Sequence, residues 1–399
     1  MTKNKIFIVS TEFPALTGGT PARNFNLINQ IAKNKFSVSL FSVFDKKSEP
    51  FLNSTKKKLN IPIYTKKKIS FNLFKKIYIS IIKRVVPYME EFNDLDFKTF
   101  ILKKIEEEKP SILQLEQLNA YFMMKDHIPY LKDKGIKIIL DAHNIEEIAL
   151  KGAISSFGFI KRNVAMRILP NLKKIEKEAF EYVDLIFACS DYDKNIIARI
   201  VSSSKVVVIP NGADISYFTL EKKPKKQSLI FMGGCNYPPN EEALKFYFSR
   251  IHEEIKKIYN IKIYVLCGKP PNWLSILAKT DKSIILPGFV PDVRQYIHKA
   301  SIGICPIISG SGTRLKILEY MSCGKPVIST SKGAEGIQVE DKKNIIIADT
   351  VSTFIEAVNL LFTNANIFDR YSKEARKLIE LEYDWDIVGK KLQNIYKHI

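Results

Sequence analysis

Two doubly wound α/β domains in tandem are the fold class that this sequence predicts, and three observations predict it. The chain has 399 residues, more than the roughly 250–300 at which a single hydrophobic core stops growing. Short β-branched apolar runs alternate with amphipathic helical stretches along its whole length, the pattern of parallel sheets covered by helices on both faces. The alternation breaks at the lysine-rich, proline-containing "EKKPKKQS" (221–228) and then restarts, so that segment reads as a linker. The predicted division is a first domain over 1–220, a second over 229–381 and a closing helix over 382–399.

In order, the first domain offers strands at "IFIVS" (6–10), "FSVSLFSV" (36–43), "ILQL" (112–115), "IKIILD" (136–141), "DLIFAC" (184–189) and "VVVI" (206–209). Helical patterns at 24–33 and 172–182 lie between some of them. The second domain opens with "LIFMGG" (229–234) and a helix from Asn240. It continues through "IKIYVLCG" (261–268), "SIILPG" (283–288), "SIGICPI" (301–307), "KPVIST" (325–330) and "NIIIAD" (344–349).

Composition narrows the setting. With 46% hydrophobic and 26% charged residues the chain reads as soluble and globular. The five cysteines, Cys189, Cys235, Cys267, Cys305 and Cys323, are scattered and form no Cys-x-x-Cys pair, which fits reduced thiols in a cytoplasm. The N-terminal apolar run is far shorter than a signal-peptide core and meets Glu12 and Pro14; it reads as a first strand. No window approaches the roughly 20 apolar residues of a membrane span, so membrane association is expected to be peripheral, on the inner face of the cell membrane. The net charge of +20 is uneven: Lys46 to Arg84 hold twelve basic residues and one acid, Glu49. Over Lys66 to Arg84 the lysines alternate with Phe71, Leu73, Phe74, Ile77, Ile81 and Ile82, as expected of a segment lying on an anionic bilayer. No aromatic-basic groove motif points to nucleic acid.

The chemistry concentrates in "SGSGTRLKILEYMSCGKPVIST", Ser309 to Thr330. In an open parallel sheet, ligands bind beyond the carboxyl ends of strands, where loops enter helix N-termini. After the strand "IGICPI", residues 309–312 predict a tight loop, with Thr313 as the N-cap of a helix that runs to Cys323 and stops at Gly324. Such a terminus attracts an anion. Arg314 adds a planar fork suited to phosphate and Lys316 a point charge, while Glu319 shares the Lys316 face. Gly18 and Gly19 follow the first strand, where backbone N–H groups can approach a phosphate or sugar. His143 follows a strand end at Asp141, the place for a group that acts on a ligand.

These motifs, with "TGGTPARNFNLINQIA", "DAHNIE" at 141, "CSDYDKNII" at 189, "VVVIPNGADISYF" at 206, "FMGGCNYPPNEEALKFY" at 231 and "GFVPDVRQY" at 288, resemble in their order the retaining GT-B-fold glycosyltransferases of the large group-1 family that includes sucrose synthase and bacterial mannosyltransferases. The resemblance covers nearly the whole chain. It implies transfer of a sugar from a nucleotide-diphosphate donor to a saccharide or lipid-linked acceptor of cell-envelope or polysaccharide assembly, with anomeric configuration kept, no metal and no cofactor. It also implies an acceptor site on the first domain, a donor site mainly on the second, and a last helix returning to the first. By the same resemblance, His143 lies near the reacting sugar and phosphate with Arg314 and Lys316, and Glu319 holds the ribose. Phe289 and Val290 lie near the base, and Gly233, Ser311, Gly312, Thr313 and Leu315 line the donor.

Two departures stand out. The family's pair of glutamates eight positions apart is here Ser311 and Glu319, and the basic pair that usually follows the strand near Gly233 is missing up to Asn240; Arg314 and Lys316 are expected to replace it. Asp94-x-Asp96 and Asp384-x-Asp386 do not follow buried strands and read as surface or capping groups, so no metal site is expected. Two other readings fit the same pattern: a nucleotide-sugar epimerase of this fold, and a non-catalytic basic protein that binds membrane or nucleic acid.

Overall fold

The structure is a computed structural model describing residues 5–16, 18–34, 36–154, 157–221, 224 and 226–399. Lys222, Lys223 and Lys225 of the expected linker, and Thr17 of the first loop motif, lie outside the described residues. The chain divides into two compact units, one of residues up to Pro210 together with Val388–Ile399, the other Asn211–Ile387.

In the first unit, β1 (Lys5–Ser10), β2 (Ser37–Phe44), β3 (Ile63–Lys67), β4 (Ile112–Glu116), β5 (Lys137–Ala142), β6 (Leu185–Ala188) and β7 (Val206–Val208) form one sheet. Their order is β3-β2-β1-β4-β5-β6-β7, and every pairing is parallel. Strand β3 is an addition to the expected six: its "IYTKK" is half-buried and ends in lysines, so it carries no apolar run by which to find it. Burial on both faces is plain in β4, all five of whose residues are inaccessible. The order reverses between β1 and β4, the switch point at which such sheets bind ligands.

The second unit repeats the plan with β8 (Ser228–Met232), β9 (Lys262–Leu266), β10 (Ile284–Ile285), β11 (Ile302–Cys305), β12 (Val327–Ser329) and β13 (Ile346–Ile347), ordered β10-β9-β8-β11-β12-β13. Its switch point lies between β8 and β11.

Residues 211–220, expected with the first domain, pack in the second. Ala213 and Phe218 belong to its core, and the Ala213 N–H donates to the Tyr383 carbonyl at 2.8 Å. A Cβ on Gly212 would lie 2.7 Å from that carbonyl oxygen, so the approach requires glycine. The last helix, Trp385–His398, begins in the second unit, and its residues from Val388 belong to the first. There Tyr396 packs its ring against Phe36 and Phe187, and Gly389 lies so close to Gln30 that a Cβ would sit 2.5 Å from its Oε1.

The helix Leu315–Ser322 is held to its sheet by equally close packing. The Tyr320 hydroxyl accepts from the Met232 N–H of β8 at 2.8 Å, while its ring covers Gly303 of β11. A Cβ on Gly303 would meet that ring at 2.3 Å. Gly303→Ala should therefore overpack the core and cost about 1–3 kcal/mol, read as a lower urea midpoint with an unchanged m-value.

Candidate functional site

In the second unit the switch point is flanked by two loops. The loop after β11 turns through Gly310 (φ 90°) and Gly312 (φ 82°), conformations that side-chain-bearing residues adopt only with strain. The helix that follows starts at Leu315, with Arg314 at the cap position and no side-chain capping bond. Thr313 is therefore not the N-cap; its Oγ1 is buried without a partner. The reason is Arg314, which takes over the loop. Its Nη1 donates to the carbonyls of Ser311 (2.6 Å) and Gly312, and its Nη2 to that of Ser309 (3.3 Å). The fork expected to face a phosphate is thus spent on backbone oxygens, while Nε stays buried and unpartnered.

Lys316 points toward the end of β8 and the start of the helix Pro238–Arg250 that follows it. Its buried ammonium donates to Asn240 Oδ1 at 2.8 Å and lies 4.0 Å from the centre of the Phe231 ring. Asn240 in turn donates to the Gly234 carbonyl at 3.0 Å. Gly233 (φ 148°) makes room for both: a Cβ there would lie 2.7 Å from Asn240 Nδ2 and 2.8 Å from Lys316 Nζ. The stretch without a basic residue therefore has one beside it, supplied by the helix. Burial brings the Lys316 amine down to about 8, since the charged form loses its hydration. Burial pushes the half-buried Glu319 carboxyl up to about 7, with Lys316 pulling it back. The Glu319 side chain makes no hydrogen bond or ion pair among the described residues and remains an available acceptor. Ser311 and Leu315 are half-buried beside these groups in sequence. Phe289 is exposed after the turn at Gly288 (φ 75°), whereas Val290 packs on the core.

Gly18, Gly19 and His143 belong to the first unit. Gly19 (φ 80°) precedes the helix Thr20–Lys33, and neither glycine would bring a Cβ within 4 Å of anything. His143 is buried, with Nε2 3.0 Å from Glu116 Oε2 and 3.4 Å from Asp141 Oδ2. Arg23 holds Asp141 through both oxygens, at 3.1 and 2.8 Å. Arg23 and Glu116 went unnoticed in the sequence; the available signal was an acid directly ending the apolar strand "ILQLE".

Two trios, Glu116–Asp141–His143 and His252–Glu253–Asp281, bring their ligand atoms within 4.8 Å, clusters that sequence spacing conceals. Neither fits a metal well. Both oxygens of Asp141 already serve Arg23, and Asp281 Oδ2 takes Lys256 at 2.7 Å while Oδ1 takes the Ser283 hydroxyl at 2.6 Å. Asp94, as expected, caps a helix, accepting from Phe97 N–H at 2.8 Å. A separate cavity of about 370 Å³ in the first unit is lined by Thr11, Glu12, Phe13, Phe51, Lys68 and Phe92, among others.

Residues 17–217 match the family described as Glycosyltransferase Family 4, and residues 226–364 match Glycosyl transferases group 1. The chain belongs to glycosyltransferase family 4. This transferase is 24% identical over 374 residues to an uncharacterised glycosyltransferase of Haemophilus influenzae, covering 91% of this chain and 92% of that protein. It is 25% identical over 121 residues to YtcC of Bacillus subtilis, named as a glycosyltransferase, covering 29% of this chain and only 30% of YtcC. In fold it is similar to sucrose-phosphate synthase from Thermosynechococcus elongatus (TM-score 0.72, 13% identity, 99% of each chain). It is also similar to Anabaena HepE in complex with UDP and glucose (TM-score 0.66, 12% identity, 99% of this chain and 100% of that one). The fold class is thereby GT-B.

The depressed Lys316 amine has a signed consequence for stability. Below about pH 8 the folded transferase holds a charge that burial penalises, and the penalty fades as pH rises from there toward the ordinary lysine range. Relative to the parent, Lys316→Met should therefore be more stable at pH 7 than at pH 9.5, as read from melting temperatures at the two values.

Proposed function

We propose that the protein transfers a sugar, with retention and without a metal or other cofactor, from a nucleotide-diphosphate donor to a saccharide or lipid-linked acceptor of cell-envelope or polysaccharide assembly. The observation that carries this reading is Lys316: a buried ammonium held between Asn240 and Phe231, at the switch point of a parallel sheet. Cleaving the sugar–phosphate bond leaves negative charge on the diphosphate, and a fixed cation in a site shielded from water stabilises that charge as it forms. Arg314 contributes by holding the loop's shape and by its charge. Glu319 accepts from the ribose hydroxyls, Phe289 and Val290 adjoin the base, and His143 contacts the sugar or phosphate. The family matches favour transfer over an epimerase or a non-catalytic basic protein.

On this reading the cavity of the first unit takes the acceptor, its phenylalanines offering faces for sugar rings and Glu12, Lys68 and the unpartnered Thr11 hydroxyl offering polar contacts. The surface beside it is consistent with a lipid-linked acceptor presented on the inner face of the membrane. Lys66–Arg84 is not one helix. It comprises the end of β3, a helix Leu73–Tyr78 and a π-turn Ile79–Lys83. Its lysines are partly neutralised, Lys68 and Lys76 by Glu91 and Lys83 by Glu90. Leu73, Phe74 and Ile82 nevertheless stand out, Phe74 at 84% exposure. No described helix is long and apolar enough to cross a membrane; contact would be made by this ridge.

Lys316→Ala should lower kcat by about 10²–10³ with a smaller effect on the donor KM, because its charge counts most in the transition state. Glu319→Gln should weaken binding of donor and free nucleotide diphosphate alike, with a smaller change in kcat. Transfer should survive excess EDTA; a rate abolished by EDTA and restored by Mg²⁺ or Mn²⁺ would refute the metal-free mechanism. Sedimentation with vesicles should show binding to anionic and not neutral lipid at low salt, and Phe74→Ser should reduce it.

A further inference from the structure

Glu116 and Asp141 are register partners on adjacent strands β4 and β5, and both are fully buried. Two carboxylates side by side in the interior need two positive charges if both are to ionise. Arg23 supplies one, with both its Asp141 bonds made and Nη2 also donating to the Ile209 carbonyl at 2.9 Å. Glu116 lies out of its direct reach. Its Oε1 accepts only the neutral amide of Gln114 at 2.6 Å, whose own oxygen accepts the Tyr396 hydroxyl of the last helix. Its Oε2 faces His143 Nε2.

Burial and Asp141 raise the Glu116 carboxyl, against the pull of His143 and Gln114; with both carboxylates ionised, His143 Nε2, which faces an oxygen of each, carries a proton in either charge state of the ring. The other nitrogen, Nδ1, is buried and has no partner. It is not isolated in this. Thr11 Oγ1 just beyond β1, Gln117 Oε1 just beyond β4 and Asn24 Oδ1 on the first helix are likewise buried and unpartnered, so the polar atoms left open lie around the carboxyl ends that flank the switch point. Gln117 adopts φ 70°, a strained turn for a residue with a side chain, directly after Glu116 has been directed inward.

We infer that Glu116 is a positioning residue that holds His143 as an imidazolium, its Nε2–H committed to the two carboxylates and its Nδ1–H left to donate to an oxygen of a bound substrate. His143 is then a cationic donor, not a general base. The surrounding charges agree. Asp141 and Glu116 raise its proton affinity, with Glu12 and Glu146 also attracting the charge, and they outweigh burial and the repulsion of Arg23, placing the ring at about 9. The nearby Cys189 thiol is pushed up to about 12 by burial and stays neutral. Donation to substrate rests on the transferase reading; the charge state does not.

The test is a ¹⁵N-histidine NMR titration of the full chain without substrate, so it stands whether or not any sugar is transferred. With five histidines, His143 is assigned by the resonance lost in His143→Asn. It should be doubly protonated at pH 7.5 and titrate well above the ordinary histidine range. Glu116→Gln should lower its proton affinity at least about tenfold, one pKa unit, and Tyr396→Phe, which frees the Gln114 amide, should lower it less. A ring that is neutral at pH 7.5 in the parent overturns the inference even if Glu116→Gln does not fold. So does a folded Glu116→Gln variant in which the His143 titration is unchanged.

Discussion

The pairing of Arg23 with Asp141 is the constraint on which the first unit depends. It joins the first helix to β5 and, through the Ile209 carbonyl, to the segment that leaves β7. Each ion loses several kcal/mol of hydration on burial, so the pair persists only because the guanidinium fork meets both carboxylate oxygens and a further N–H finds a carbonyl. Once it is in place, the neighbouring strand-end carboxylate of Glu116 must find its own partners, and the ring of His143, the amide of Gln114 and the hydroxyl of Tyr396 fall into line. The last helix is thereby tied to the sheet by polar contacts as well as by Tyr396 packing.

The second unit handles a buried cation differently. Lys316 has no carboxylate within salt-bridge distance among the described residues; it has an amide oxygen and an aromatic face. Such surroundings leave the buried charge incompletely compensated, which is the state suited to an anionic ligand. Three glycines make this geometry possible. Gly233 leaves space for the ammonium, Gly310 lets the loop pass Pro239 and Tyr237, and Gly303 admits the Tyr320 ring so that the helix bearing Lys316 and Glu319 sits close to β8 and β11. Binding chemistry and packing are therefore coupled through one short helix.

The basic first unit shows why net charge is a poor guide to a surface. Of the lysines between 66 and 84, several lie against Glu90, Glu91 and Asp94, which come later in the chain, and Lys75 lies 3.8 Å from the centre of the Phe71 ring. What remains exposed is mixed, Leu73, Phe74, Ile77 and Ile82 beside Lys75, Lys83 and Arg84, on a helix and a π-turn too short to bury their own side chains.

The sequence by itself determined the α/β class, twelve of the thirteen strands and the loop and helix start between Ser309 and Glu319, because strand alternation, turn glycines and clustered charge are local properties. It did not reveal β3, an edge strand whose half-polar residues pair on one side only. It also turned Arg314 toward a phosphate, whereas the direction of its fork depends on three carbonyls brought together only when Gly310 and Gly312 have turned the loop. The partners of Lys316 and His143 were decided by tertiary structure alone: Asn240 lies in the first turn of another helix, Pro238–Arg250, and Glu116, Asp141, Arg23 and Tyr396 come from four separate elements. Parallel sheets bring together residues from strands far apart in the chain, so the contacts that set charge state and orientation have no signature in any single stretch of sequence.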